Sequence, residues 1–221
     1  MRYVFLSLFI LMSLWHLYYS WKDEKRGRAC TKPFLLVFLT LYYVFSTGHI
    51  SWLLLAALIT SWLGDVLLIV PGNLWVTLGG FSFGAGHILF ILAYASQIVY
   101  SNVIWTPVIL LSIVYLAISG LILSMVWKTS PSVMRVNIGL YLLANSTMNI
   151  FALMQLLTNH STGAVLAYIG AVLFFISDCC LFLVRFYKGE KQLVFKKHFT
   201  VMLTYLAGEF LITQGMLLVT G

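Results

Sequence analysis

Charged residues are scarce in this chain, and acidic residues are the scarcest. Only 9% of the 221 residues are charged and six are acidic, whereas 62% are apolar. Soluble domains carry about 25% charged residues, so this composition excludes an ordinary soluble protein and indicates an integral membrane protein. Cysteine is also rare: Cys30 and the adjacent pair Cys179 and Cys180 offer neither a disulfide framework nor zinc-ligand spacing.

Apolar runs long enough to cross a bilayer fill most of the sequence. About 20 residues are needed to span roughly 30 Å of hydrocarbon. Eight such runs predict an all-α fold, a bundle of eight transmembrane helices forming a single domain over residues 1–221. The predicted helices are 3–21, 33–47, 49–70, 74–98, 104–127, 136–157, 164–187 and 199–218. The second is short, and Pro33 suits its first turn, where no N–H partner is needed; a start a few residues earlier is left open.

The basic residues test this count independently. With eight helices, connections 1–2, 3–4, 5–6 and 7–8 share one side of the bilayer, and only Arg2 of the thirteen basic residues lies on the other. The twelve are Lys22, Lys25, Arg26, Arg28, Lys32, Lys128, Arg135, Arg185, Lys188, Lys191, Lys196 and Lys197. The positive-inside rule then predicts cytoplasmic basic connections and both termini outside. The positive charge is mainly a topology signal, with attraction to anionic headgroups as a secondary role.

Two aspartates lie inside apolar runs, Asp65 in the third helix and Asp178 in the seventh. An acid at a helix centre costs about 2.5 to 3.5 kcal/mol to insert, so such residues usually face the bundle interior and carry function. The two helices run in the same direction and occupy corresponding places in two possible four-helix halves. The aspartates are therefore expected to meet at one level, near the cytoplasmic end. The structural alternative is an ion pair with Lys32 or Arg185.

Other polar residues fall at middle depths of the predicted helices: His87, Asn145, Asn149, Glu209 and Gln214. With the aspartates, they predict a polar cavity open toward the basic side. Asn145, Asn149 and Gln214 are also well suited to hydrogen bonds between helices. In the fourth helix, the spacing Gly80-x-x-x-Gly84 predicts close helix packing.

Recognisable catalytic motifs are missing. There is no HExxH, GxSxG, phosphate loop or dinucleotide fingerprint, and only His16 and His87 lie within the helices rather than at their ends. No metal and no cofactor are therefore expected. Metal-free carboxyl chemistry is the simplest enzyme hypothesis.

Six short motifs, taken in order, resemble the YhhN-like lysoplasmalogenase family of multi-pass membrane proteins. They are Lys32-Pro33 at the second helix, LGDVLLI around Asp65, GGFSFGAGH ending at His87, YASQ ending at Gln97, IGAVLFFISD ending at Asp178, and YLAGEFLI around Glu209. The resemblance implies hydrolysis of the vinyl ether bond of lysoplasmalogens to a fatty aldehyde and glycerophosphoethanolamine or glycerophosphocholine. It also implies that Asp65 and Asp178 are the catalytic pair. Phe90 and Glu209 depart from the family pattern, which puts the headgroup or chain preference in question.

Paired carboxyl groups suit this chemistry, because one can protonate the alkene while the other stays ionised, steadies the cation and activates water. Asp178, with the more apolar flanks, is predicted to be the acid and Asp65 the base. Lys32 is predicted to contact the lipid phosphate as a point charge, and His87, Asn145, Asn149 and Glu209 are predicted to bind substrate or support the site. The expected partners are a lysophospholipid and membrane lipids rather than nucleic acid, in a bacterial cell membrane. The oligomeric state stays open.

Two other classes of function remain. A proton-coupled transporter of lipids or small molecules would use the same buried acids as protonation sites. The four prolines lie near predicted helix ends, so no helix pair is visibly broken, which weighs against transport. A purely structural partner would tolerate loss of both aspartates.

Overall fold

The computed structural model describes residues 1–220, which form eight α-helices and contain no β-strand. The helices are α1 (Arg2–Trp21), α2 (Lys25–Ser46), α3 (Trp52–Leu67), α4 (Asn73–Ala95), α5 (Trp105–Trp127), α6 (Ser132–Asn159), α7 (Thr162–Phe186) and α8 (His198–Thr220). A single 3-10 turn, Tyr100–Asn102, precedes α5. The all-α class is therefore confirmed.

Seven of the eight helices are long and apolar enough to cross a membrane, which makes this a multi-pass membrane protein. The exception is α3, which has 16 residues. At a rise of about 1.5 Å per residue it is roughly 24 Å long, somewhat less than the hydrocarbon core of a bilayer. Its crossing, and with it the eight-crossing topology and the two four-helix halves, stays a prediction.

The largest boundary error concerns α2. The helix begins at Lys25, eight residues before the predicted start, so the prediction that Pro33 lies in its first turn is wrong. The added segment is rich in basic residues, and an apolar run marks where the helix meets lipid rather than where it begins. Pro33 has no N–H to donate within the helix. Its carbonyl oxygen accepts a hydrogen bond from Trp62 Nε1 at 2.8 Å, which ties α2 to α3.

Seven helices surround a common interior. In the order α1, α2, α3, α4, α6, α7 and α8, each packs on the next, and α8 returns to contact α1 and α2. Helix α5 lies outside this ring against α6 and α7. Buried side chains from all seven ring helices form one core cluster. The aspartate-bearing helices, α3 and α7, are both members of the ring.

The tightest contact in the fold joins α7 to α8 through glycines. A Cβ on Gly170 would lie 2.6 Å from the backbone nitrogen of Ile212 and 2.7 Å from the carbonyl oxygen of Gly208. A Cβ on Gly163 would lie 2.7 Å from the carbonyl oxygen of Gly215. The two backbones therefore touch directly, which only residues without a side chain permit.

In α4, the predicted pair of small residues, Gly80 and Gly84, does not form the close contact with a neighbouring helix. A Cβ on Gly84 would meet nothing within 4 Å, so Gly80-x-x-x-Gly84 does not form a packing face. Instead Gly79 and Gly86 face α3: a Cβ on Gly79 would lie 3.0 Å from Leu68, and one on Gly86 3.1 Å from the Thr60 hydroxyl. The spacing is seven residues, two helical turns.

Three of the basic connections meet at one end of the bundle. Lys196, just before α8, lies 4.4 Å from the ring of Trp21 at the end of α1. Thr129, between α5 and α6, donates a hydrogen bond to the carbonyl oxygen of Phe186 at the end of α7. We call this the basic end; its location in the cytoplasm, and that of both termini outside, stay predictions.

Candidate active site

Asp65 lies near the end of α3 and is almost entirely buried. Its Oδ1 is 2.9 Å from Lys32 Nζ, and the hydroxyl of Tyr205 on α8 donates to its Oδ2 at 2.9 Å. The structural alternative considered for Asp65, an ion pair with Lys32, is therefore present. Lys32 is the counter-ion of the aspartate, and its predicted contact with a lipid phosphate stays a prediction.

Asp178 lies on α7 in a different environment. Its Oδ2 accepts a hydrogen bond from Asn145 Nδ2 at 2.6 Å and lies 3.5 Å from His87 Nε2. The alternative ion pair with Arg185 is not formed among the described residues. The His87 ring packs 4.9 Å from the ring of Tyr141, which also neighbours the carboxyl group. Asp178 thus accepts a hydrogen bond from an uncharged amide, where Asp65 is paired with a lysine.

Both aspartates line one cavity of about 460 Å³, as the sequence predicts. Its lining is completed by polar and apolar side chains from α1, α2, α4, α7 and α8 and from the segment after α3. These are His16, Lys25, Arg28, Ala29, Lys32, Leu68, Ile69, Phe83, Ser177, Leu181, Arg185, His198, Val201, Met202 and Tyr205. Lys25 and Arg185 are exposed, so the cavity reaches the surface at the basic end. A site with two carboxyl groups at its base and cations at its mouth can receive an anionic amphiphile.

Three other predicted site residues, His87, Asn145 and Asn149, do not line the cavity and lie behind its wall. Asn149 donates through Nδ2 to the backbone and side-chain oxygens of Asn145, which orients the amide that bonds Asp178. His87 touches Asp178 without lining the cavity. These three side chains surround Asp178 from behind the cavity wall, and the hydrogen bond from Asn145 to Asp178 also joins α6 to α7.

Glu209 is fully buried one turn after Tyr205, and neither carboxyl oxygen has a hydrogen-bond partner in the described part of the chain. Ser61 lies beside it. Glu209 does not line the cavity, so the prediction that it does is wrong. A buried carboxyl group without a partner is costly when ionised, which favours its neutral form.

Several residues of the site were not predicted. Tyr205 contacts Asp65 directly. The sequence does indicate this residue, because Tyr205 lies four residues before Glu209 and therefore on the same helix face. His16 and Thr31 form a buried hydrogen bond at the cavity wall that no sequence motif marks. The sequence predicts a hydrogen bond between helices for Gln214, and this is confirmed: Tyr42 on α2 donates to its Oε1 at 2.5 Å.

No group of three or more His, Cys, Asp or Glu side chains that could hold a metal ion occurs within residues 1–220. The absence of a metal or cofactor from the reaction stays a prediction.

The family model described as the YhhN family matches residues 27–216. The chain belongs to the YhhN family. No match was found among curated proteins or among solved structures. In this YhhN-family chain, the matched region contains both aspartates and all of Lys32, His87, Asn145, Asn149, Tyr205 and Glu209. It begins after α1, so His16 lies outside the matched region.

Proposed function

We propose that this YhhN-family protein is a membrane hydrolase that cleaves the vinyl ether bond of lysoplasmalogens. Family membership suggests a lysoplasmalogenase-type function. The observation that carries the proposal is the shared cavity, in which two buried carboxyl groups with different partners face one space open at the basic end. Carboxyl pairs of this kind divide acid and base roles in hydrolysis through an oxocarbenium ion.

The reaction adds water across a polarised double bond. A proton moves to the alkene carbon remote from the ether oxygen, and the positive charge is shared between the other alkene carbon and that oxygen. Water attacks this carbon and loses a proton, which gives a hemiacetal. The hemiacetal collapses to a fatty aldehyde and the glycerol hydroxyl group, so one water molecule is consumed.

The partners of the two aspartates suit different roles. Asp65 has Lys32 as counter-ion and a hydroxyl donor in Tyr205, two partners that each stabilise the ionised carboxylate. It is proposed to steady the cation and accept the proton of water. Asp178 has neutral Asn145 at 2.6 Å and the His87 ring beside it, and it is proposed to deliver the proton to carbon. Each proton taken by Asp65 must return to Asp178 before the next turnover.

The test measures aldehyde release by purified protein in detergent from an alkenyl-glycerophosphoethanolamine. Asp65→Asn and Asp178→Asn are each expected to reduce the rate by at least about 100-fold, the usual range for loss of a general acid or base. Glu190→Gln is the matched control, because Glu190 is an exposed acid that lies outside the cavity. Elution of every variant as a single species on size exclusion checks folding.

Full activity in either aspartate variant would remove the two-carboxyl mechanism. Absence of aldehyde from the wild-type protein, together with lipid or proton movement in sealed vesicles that depends on the same aspartates, would instead favour the transporter reading. Aldehyde that appears in proportion to protein, with no vesicles and no gradient, excludes that reading.

A further inference from the structure

Four cations line the cavity, and they lie at two depths. Lys25 and Arg28 belong to the first turn of α2, and Arg185 lies near the end of α7, all at the basic end. Lys32 lies one turn further along α2 and is paired with Asp65. Among the ion pairs of residues 1–220, none involves Lys25 or Arg185, so these two charges are uncompensated at the mouth.

Arg28 is held in place by a neighbour that leaves part of it free. One guanidinium nitrogen donates to Asp23 at 2.5 Å, and the side chain still lines the cavity. A guanidinium group has five N–H donors in a planar fork that matches two oxygens of a phosphate. Arg28 and Arg185 therefore supply, from opposite helices, the donors that a phosphate ester needs.

His16 provides a different contact at the wall of the same cavity. Only 1% of its surface is exposed, its Nδ1 lies 2.7 Å from the Thr31 hydroxyl oxygen, and its Nε2 has no partner among the described residues. The Thr31 hydroxyl donates to the carbonyl oxygen of Gly27 at 2.8 Å, so its oxygen accepts from Nδ1. In neutral histidine this leaves Nε2 as an unoccupied acceptor. His16 lines the cavity and its Nε2 is a buried acceptor without a partner, which a ligand hydroxyl or ammonium group at this wall would satisfy once the ring turns toward it.

The depths of these groups match the glycerol backbone of a lysophospholipid. Arg28 and Lys32 are four residues apart and Asp178 and Arg185 seven, which places the mouth cations about 6 to 10 Å from the carboxyl level along the helix axes. From phosphorus to the ether oxygen at glycerol position 1 there are five bonds of about 1.5 Å, which span roughly 6 Å. The hydroxyl group at position 2 lies between. Thr31, which holds His16, likewise lies between Arg28 and Lys32 in the sequence of α2.

We propose that this cavity binds the glycerophosphate part of a lysophospholipid in one orientation, with the phosphate at Arg28 and Arg185 and the free hydroxyl group at position 2 donating to His16 Nε2. The inference rests on the proposed function for the identity of the bond that reaches the aspartates. It explains selection of a lysolipid, because an ester at position 2 has no proton to donate and would leave the histidine acceptor unpaired.

Binding is measured with a lipid that cannot react. The probe is a saturated 1-alkyl-glycerophosphoethanolamine, which has no double bond to protonate. It is compared with 1-alkylglycerol, which lacks the phosphate, and with the 2-methoxy analogue, which lacks the donor. Affinities are determined in a neutral detergent by the ligand-dependent change in tryptophan fluorescence. Chain-free glycerol 3-phosphate is the fourth ligand, and it tests whether the phosphate site serves a lipid or a water-soluble ester.

Arg28→Gln and Arg185→Gln are each expected to weaken the complete probe about tenfold or more, the effect of one charge-assisted hydrogen bond. The phosphate-free lipid should bind these variants and the wild-type protein alike. Arg26→Gln is the matched control, since Arg26 lies two residues before Arg28 on the same helix and does not line the cavity. Arg185→Lys should retain more affinity than Arg185→Gln.

His16→Phe is expected to weaken the complete probe and to leave the already weaker 2-methoxy analogue unchanged. Equal binding of the complete and phosphate-free lipids by the wild-type protein would overturn the phosphate assignment. Equal binding of the complete and 2-methoxy lipids would overturn the role of His16. Glycerol 3-phosphate that binds as tightly as the lipid, and is lost in the same arginine variants, would assign the phosphate site to a soluble ester.

The outcomes separate this inference from the hydrolase proposal. Probe binding that depends on both arginines, in a protein that releases no aldehyde, would keep the binding site and reject the hydrolase. Aldehyde release that depends on the aspartates, with the same KM in Arg26→Gln, Arg28→Gln and Arg185→Gln, would keep the hydrolase and reject the binding site.

Discussion

Removing Lys32 and removing Asp65 are expected to lower the stability of the protein by different amounts, because the two members of this ion pair are buried to different extents. The aspartate side chain is 2% exposed and that of Lys32 is 16% exposed. Lys32→Met leaves a carboxylate with little access to water, whereas Asp65→Asn leaves an ammonium group that can turn into the cavity. Breaking a buried pair costs about 3 to 5 kcal/mol. Partial exposure places the Lys32→Met variant near the lower limit, about 3 kcal/mol.

For a chain of this length, 1 kcal/mol corresponds to roughly 2 to 4 °C, so Lys32→Met is expected to melt about 6 to 12 °C below the wild-type protein. The melting temperature of Asp65→Asn should fall by less than that of Lys32→Met. The double variant Lys32→Met/Asp65→Asn should recover about 2 kcal/mol relative to Lys32→Met, because replacing both members of a buried pair costs much less than removing one. None of the three should release aldehyde at the wild-type rate.

Melting is followed by tryptophan fluorescence in detergent, and Lys25→Met is the control, since Lys25 lines the same cavity without an ion partner. The reasoning is refuted if the double variant is less stable than Lys32→Met. It is also refuted if Lys32→Met melts within about 1 °C of the wild-type protein, far less than a buried unpaired charge implies.

Three further predictions concern packing, hydrogen bonding and pH. Gly170→Ala should destabilise by about 1 to 3 kcal/mol because its Cβ meets backbone, whereas Gly84→Ala should be neutral or slightly stabilising, and paired melting curves check the difference. Asn145→Leu removes the donor to the α7 aspartate and should lower the rate of aldehyde release about 10- to 100-fold while the protein still elutes as one species; an unchanged rate would contradict the supporting role. The Arg28 guanidinium holds the pKa of Asp23 below its usual value. Their ion pair therefore stabilises the fold at pH values above the usual pKa of aspartate, and this stabilisation is lost as the pH falls through the lowered pKa. Asp23→Asn should therefore cost no more than about 1 kcal/mol at pH 7 and progressively less as the pH is lowered, and a difference in melting temperature that does not shrink with falling pH would contradict this.

Most of the helical bundle follows from the length of its apolar runs, because a chain in lipid must satisfy every backbone N–H and C=O group within helices. The boundaries do not follow as well. The start of α2 is hidden in a basic segment that remains helical beyond the apolar run, and α3 is shorter than its apolar run because a turn at Leu68 to Val70 ends it before Pro71. Hydropathy detects contact with lipid, whereas hydrogen bonding sets the helix ends.

The candidate site was partly predictable for a similar reason. Asp65 and Asp178 could be found because an acid in an apolar run is rare and costly. Tyr205 could be found only through its spacing to Glu209, and Arg28 could not be found this way, since a basic residue near a helix end is also an ordinary topology signal. His16 is marked by no motif. Their role depends on which helices become neighbours, and packing across α1, α2 and α8 is not written in the periodicity of any one of them.

The direct backbone contact between α7 and α8 has a mechanical consequence. With no side chains between them at Gly170 and Gly208, the two helices cannot slide or tilt against each other without a collision of main-chain atoms. Asp178 and Tyr205 therefore belong to one rigid pair of helices, and their relative position is fixed before any lipid binds.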